Sequence, residues 1–261
     1  MKHSVLIACL EYLGQKDKAY TYIDTHAGAG GYSLDEGFAA KNREWLSGVD
    51  RVINNTPDLR LLERYREIAD RFLNGSNTYP GSPLIAAELM REDDRAFCYE
   101  LHPADYEILS LTLEQDRRFK ILKADGPREF LSLLPPPSRR ACILIDPSYE
   151  IKSDYSFLEQ QAAAALKRFP GGVYIIWYPL LEKKEAAGFP DILMSLYDGN
   201  RCRIEIQFTE KSPSGWGMFG CGLVIYNPPW VLKDDLDRDL PRLAKLLGGP
   251  SGLYRMDWEE G

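Results

Sequence analysis

Asp146-Pro-Ser-Tyr149 closes a short apolar run, Ala141-Cys-Ile-Leu-Ile145. An aspartate followed by proline sets a carboxylate beside a backbone carbonyl. Two such acceptors can take both hydrogens of an exocyclic amine, make its nitrogen pyramidal and aim the lone pair outward. The rest of such a reaction is positioning. Tyr149 supplies a ring that can stack on a base, worth about 1–3 kcal/mol in single-strand binders. Three more acids stand at comparable points. Asp24 ends "AYTYID" and leads into Thr-His-Ala-Gly-Ala-Gly-Gly31. Glycines after a strand let backbone approach a ligand closely, which marks Gly28. Glu100, in "AFCYELH", suits two ribose hydroxyls; Asp125-Gly126, after "FKILKA", suits an adenine amino group. Acids at these four points fit a cationic cofactor that carries a nucleoside. A dinucleotide would want a free helix N-terminus for its pyrophosphate and a fuller GxGxxG.

The elements that must carry these residues alternate in period. Strand-like runs fall at 19–24, 96–102, 119–125, 141–146, 172–180, 202–210 and 220–227. Helical runs such as "PADYEILSLTLEQD" and "DYSFLEQQAAAALKRF" separate the earlier ones, which predicts parallel neighbours. The sixth and seventh are joined by "KSPSGWGMFG" without a helix, which predicts an antiparallel pair. The start, Met1-Lys-His-Ser-Val-Leu-Ile-Ala-Cys-Leu10, reads as a helix: its apolar stretch is too short for a signal sequence, and "EYLGQKDK" follows at once. The expected fold is α/β and Rossmann-like, a seven-stranded, mostly parallel sheet with an antiparallel last strand. It forms a single domain over 1–261. Residues 35–93 hold the helical runs "NREWLSGVDRVI" and "PDLRLLERYREIADRFL" and are expected as a small helical insertion over the sheet's C-terminal edge, because a loop of that length without structure is rare. Ligands of such sheets bind beyond the C-terminal strand ends.

Hydrophobic residues make up 44% and charged residues 27% of 261, which suits a globular chain with a core. No apolar run reaches the roughly 18–20 residues of a membrane span. Five scattered cysteines form no CxxC pair and no Cys/His cluster, so neither a zinc site nor a disulfide framework is expected. That pattern fits a reducing cytoplasm. The net charge of −7 argues mildly against a nucleic-acid binder, although basic residues cluster locally, as at Arg117, Arg118, Lys120 and Lys123.

"YIDTHAGAGGY", "YPGSPLIA", "ELHPADY", "KADG", "ILIDPSYE", "YIIWYP" and "GLVIYNPPW" together resemble the RlmJ family, adenine-N6 methyltransferases of 23S ribosomal RNA. The resemblance runs from Lys2 to Trp230. It implies a class I methyltransferase fold, S-adenosylmethionine as cofactor and a catalytic Asp146, with Pro147 and Tyr149 completing the loop. It implies cofactor contacts from His3, His26, Ser82, Glu100, Asp125 and Gly126, beside the Asp24 and Gly28 already singled out. His26 and Ser82 carry no such signal by themselves: a histidine beside glycines reads as a cap, and "YPGSP" reads as a turn. The implied partner is ribosomal RNA offering a single-stranded or flipped adenine, with no membrane and no metal, and the enzyme is expected to be a monomer. Family members start with a longer segment ending in Lys-His, so residues upstream of Lys2-His3 are expected to help close the pocket.

The same chemistry on DNA is the nearest alternative. A nucleic-acid-binding protein linked to the use of external DNA, with weakened catalysis, is another. Asn227-Pro-Pro-Trp230 looks like a second amine-orienting loop but follows the seventh strand, away from the expected crevice. Pro-Pro there reads as a strand stop. Ser148 stands where the family's loop usually has proline. The acceptor is the carbonyl of Pro147, which is kept. Ser148→Pro is therefore expected to change the transfer barrier by less than about 0.7 kcal/mol, roughly threefold in rate, in a single-turnover assay.

Overall fold

The structure is a computed structural model that describes residues 1–33, 58–212 and 217–261. Within it β1 (Thr21–Asp24), β4 (Arg95–Tyr99), β5 (Phe119–Leu122), β6 (Ala141–Ile145) and β7 (Val173–Leu180) pair in parallel. β8 (Arg201–Gln207), β9 (Gly220–Tyr226) and β10 (Leu253–Glu259) extend the sheet antiparallel beyond β7. The order is β10-β8-β9-β7-β6-β1-β4-β5. Order reverses between β1 and β6, which puts the switch point beside Asp24 and Asp146.

The expected seven-stranded sheet has eight strands among the described residues. The additional one, β10, lies at the edge, and its first three residues are exposed. Half-exposed edge strands lack the apolar alternation that marks inner ones. The seven expected strands all form, most of them ending one to three residues earlier than read. β1 and β6 are buried at every position, as parallel strands covered on both faces must be.

On one face pack α1 (Lys2–Gly14), α2 (Arg60–Ser76), α3 (Ser82–Leu89) and α8 (Val231–Gly248). On the other pack α6 (Ser153–Arg168) and α7 (Lys184–Ser195). α4 (Pro103–Thr112) follows β4, and the short α5 (Gly126–Glu129) follows β5. Of the segment expected as a helical insertion, 58–93 is described, and "NREWLSGVDRVI" lies outside the described residues. The described part is not helical throughout: β3 (Thr78–Pro80) pairs antiparallel with β2 (Gly31–Ser33). α2 rests on α1 and α8, and α3 rests on α1 and β1. Buried Asp239 of α8 accepts from Leu61 N at 2.8 Å. It thereby satisfies one of the N–H groups that a helix start leaves without partners.

A buried carboxylate helps hold the loop between α1 and β1, where Arg140 also reaches the carbonyls of Leu13 and Lys18. Asp94 has no exposure and accepts from the backbone of Tyr20 at 2.9 Å and of Arg91 at 2.8 Å. Arg91 also gives it side-chain bonds at 3.0 and 3.1 Å, and reaches the carbonyls of Gly14, Lys16 and Lys18. Burial alone would raise the Asp94 carboxyl. The Arg91 bonds and the two backbone N–H groups outweigh it and hold the carboxyl below its ordinary range. A depressed carboxylate stabilises the fold above the unfolded pKa and ceases to do so as pH falls through the folded one. Asp94→Asn is expected to lower stability by about 3 kcal/mol at neutral pH. In urea titrations the deficit should shrink as pH falls through the carboxylate range.

Candidate active site

Lys2, His3, His26, Ser82, Asp146 and Trp177 line one cavity of about 930 Å3 at the C-terminal edge of the parallel strands. It opens between the first turn of α1, the loop after β1, the start of α3 and the end of β6. Asp146 ends the short β6 run, where a carboxylate can leave the sheet without disturbing the ladder. Lys2 Nζ donates to Asp146 Oδ2. Burial pushes the Asp146 carboxyl up from its ordinary value, and Lys2 pulls it back. Burial would lower the Lys2 ammonium, but the charge of Asp146 and the bond to it leave that group raised. The contact between them favours the charged form of both.

Asp24 has no exposed surface. Its carboxylate accepts from Tyr22 Oη at 2.7 Å, Ser82 Oγ at 2.6 Å and His26 N at 3.2 Å. Burial raises its pKa, and these three donors oppose the rise. Ser82 thus joins the start of α3 to the end of β1. Gly81 at the N-cap of α3 donates to Gly30 O at 2.7 Å.

Gly28, Glu100, Asp125 and Gly126 lie farther along the same edge, outside the cavity wall. Gly28 sits at φ +63° and its N–H donates to Glu100 Oε2 at 2.7 Å. His102 N donates to the other Glu100 oxygen, also at 2.7 Å. Asp125 caps α5 by accepting from Arg128 N and pairs with Arg128 Nε at 2.8 Å. A Cβ on Gly126 would stand 2.1 Å from Thr25 O. The close passage of two backbones requires glycine at this position, for which the family resemblance implied a cofactor contact.

Tyr149 is a correction. It was expected to stack on a base, but only 3% of it is exposed. Its hydroxyl donates to Trp177 O at 2.5 Å, and its ring meets those of Tyr155 and Phe189 at 4.9 and 5.7 Å. Its φ of +54° turns the side chain under the loop. Pro147 is buried and Ser148 exposed. The ring that does line the cavity beside Asp146 is Trp177.

Two histidines line the cavity with different partners. Tyr65 Oη donates to Tyr79 Oη at 2.7 Å, and Tyr79 Oη lies 3.0 Å from His3 Nδ1. His26 Nδ1 lies 2.8 Å from Thr25 Oγ1, whose own proton goes to Leu144 O at 3.2 Å. Burial lowers His26 to about 4. Burial, followed by the nearby Lys2, pushes His3 well below its ordinary value. Both are neutral at pH 7. Sequence reasoning passed over Lys2, Tyr65, Tyr79 and Trp177 as site residues. Lys2 adjoins His3 and Tyr79 opens "YPGSP", whereas nothing local marks Tyr65 or Trp177.

Asn227 lies at the opposite edge of the sheet, because β9 runs against β7. Its side chain donates to Pro170 O and Gly172 O, both at 2.7 Å, and accepts from Tyr197 Oη at 3.0 Å. Every polar atom of that amide is committed to structure.

Residues 17–260 match the family model described as "Ribosomal RNA large subunit methyltransferase D, RlmJ". This chain belongs to the RlmJ family. It is 37% identical over 261 residues to "Ribosomal RNA large subunit methyltransferase J" of Escherichia coli K12, spanning 99% of this chain and 93% of the relative. It is 35% identical to the protein of the same description from Haemophilus influenzae, with the same coverage. The crystal structure of LPL1258 from Legionella pneumophila superposes with a TM-score of 0.88 at 31% identity, covering 99% of this chain and 95% of that one. Among the described residues of this RlmJ-family chain, no helix is long and apolar enough to cross a membrane, and no three His, Cys, Asp or Glu side chains gather as metal ligands would.

S-adenosylmethionine, the cofactor the family implies, can be tested against the donor set. Buried Asp24 and half-buried Asp146 both act on Lys2. Such an electronegative cavity suits a ligand with a sulfonium and an ammonium. Glu100, beside the positive-φ glycine loop, offers the carboxylate acceptor that ribose hydroxyls take, so the residues fit. Lys2→Met is expected to raise the Asp146 carboxyl further, since removing a neighbouring cation disfavours the charged form. Carboxyl titration followed by carbon NMR on labelled aspartate should show a higher midpoint in the variant. An unchanged midpoint would mean that the ion pair does not form.

Proposed function

We propose that this chain transfers a methyl group from S-adenosylmethionine to N6 of an adenine in large-subunit ribosomal RNA. The observation that carries the reading is Asp146, directly after β6, half-buried in the wall of the cavity with Lys2 on one oxygen. Bound S-adenosylmethionine supplies the electrophilic methyl group. His3, His26 and Ser82 would hold it, with Asp24 beneath Ser82 and with Gly28, Glu100, Asp125 and Gly126 on the nucleoside side.

The exocyclic amine of adenine is a weak nucleophile because its lone pair is delocalised into the ring. Asp146 Oδ1 and the Pro147 carbonyl accept its two hydrogens and direct the lone pair toward the methyl group. Lys2 fixes the carboxylate through Oδ2, which leaves Oδ1 for the base. Burial pushes the Asp146 carboxyl up, which makes it a stronger proton acceptor than an exposed carboxylate. Oδ1, the oxygen that Lys2 leaves free, takes the proton that N6 loses. Trp177 offers the apolar wall for the base, in the role the sequence had suggested for Tyr149. The adenine must be unstacked to reach this depth, which favours single-stranded or flipped targets. The reading includes a cytoplasmic setting, where ribosomal RNA is made.

Asp146→Ala is expected to lower methyl incorporation into deproteinised ribosomal RNA by at least about a hundredfold while leaving S-adenosylhomocysteine binding within about twofold. Transfer at the wild-type rate would remove Asp146 from the chemistry. Wild-type enzyme should methylate ribosomal RNA in preference to single-stranded DNA. N6-methyladenine mapping of ribosomal RNA from cells lacking the protein should show one site lost.

A further inference from the structure

His3 is anchored by a two-step relay of tyrosines that come from outside its helix. Tyr65 belongs to α2 and Tyr79 to β3, while His3 lies in the first turn of α1. The three rings gather with centroids 6.0 to 6.4 Å apart. The relay is read from its Tyr65 end, where the hydroxyl donates. Tyr65 gives its only proton to Tyr79 Oη at 2.7 Å. Tyr79 therefore keeps its own proton to give, and His3 Nδ1 stands 3.0 Å away. A nitrogen that accepts a hydrogen bond carries no proton, so the one proton of a neutral imidazole sits on Nε2. His26 has the reverse arrangement. Thr25 Oγ1 gives its proton to Leu144 O and accepts from His26 Nδ1, which leaves His26 Nε2 as an acceptor.

We infer that Tyr79 and Tyr65 are positioning residues that lock His3 as an Nε2–H donor for the carboxylate of the cofactor's amino-acid end. Its own burial, followed by the neighbouring Lys2, keeps a second proton off His3, consistent with its lowered pKa. The relay gives α2 and β3 a direct influence on the cofactor pocket although neither meets Asp146. It also separates the two histidines chemically: one neutral donor and one neutral acceptor face the same cavity. A zwitterionic amino-acid group offers one partner for each.

This inference rests on the proposed cofactor reading only for what His3 contacts; the tautomer itself needs no ligand. The chain has three histidines, so a long-range proton–nitrogen correlation spectrum can be assigned with His3→Gln as control. Wild-type protein should show His3 protonated at Nε2 alone. Tyr79→Phe should give a mixture of tautomers. Tyr65→Phe, which leaves the Tyr79 hydroxyl but frees its choice of partner, should give a smaller admixture. By calorimetry, Tyr79→Phe should weaken S-adenosylhomocysteine about three- to tenfold, the effect of one buried hydrogen bond. It should leave 5′-methylthioadenosine, which lacks the amino-acid end, unchanged. A wild-type His3 protonated at Nδ1, or equal loss for both ligands, would overturn the inference. If instead the tautomer is as stated but His3→Gln binds S-adenosylhomocysteine as tightly as wild type, the relay stands and the placement of the cofactor at His3 fails.

Discussion

A carboxylate shut off from water is the constraint around which this site is organised. Three donors that favour the charged form of Asp24 converge on it in the core, each from a different place: a neighbouring side chain of its own strand, the first residue of α3, and the backbone of the glycine loop. An unsatisfied buried charge would be far costlier than any of these bonds is favourable. The demand for three donors therefore fixes where α3 begins and how the loop leaves β1. Ser82 and His26 come to the cavity wall through that demand. Asp146 obeys a different rule. Its partner is a full cation on α1 rather than a set of dipoles, so its position depends on how α1 packs across the sheet.

The fold was legible where a period is strong and both faces are covered. The buried runs of β1, β6 and β7 announce themselves as apolar stretches, and the parallel order follows from the helices between them. β10 escaped because an edge strand with an exposed start has no such stretch. The second strand pair, β2 with β3, escaped because each has three residues, too few for a period to be read.

The site was legible in part. The acids could be placed at strand ends because strand ends are local features. Their partners could not, since the tie between Glu100 and Gly28 spans 72 residues and that between Asp146 and Lys2 spans 144. The reading of Tyr149 failed for a related reason. Residue type shows that a ring is present, but the direction of that ring depends on a left-handed backbone and on neighbours from α6 and α7. The discounting of Asn227-Pro-Pro-Trp230 needed only the order of strands, which the sequence does carry.

The anchoring of Tyr149 has a consequence for how the loop tolerates change. Pro147 and Tyr149 point inward and are fixed by the core, while Ser148 between them faces out. The loop therefore has one position under little steric discipline, flanked by two under a great deal. Sequence drift should collect at the outward position and spare its neighbours. A search pattern that insisted on two consecutive prolines would pass over chains of this kind. One written as aspartate, proline, any residue, aromatic, with a lysine ahead of the first strand, would find them.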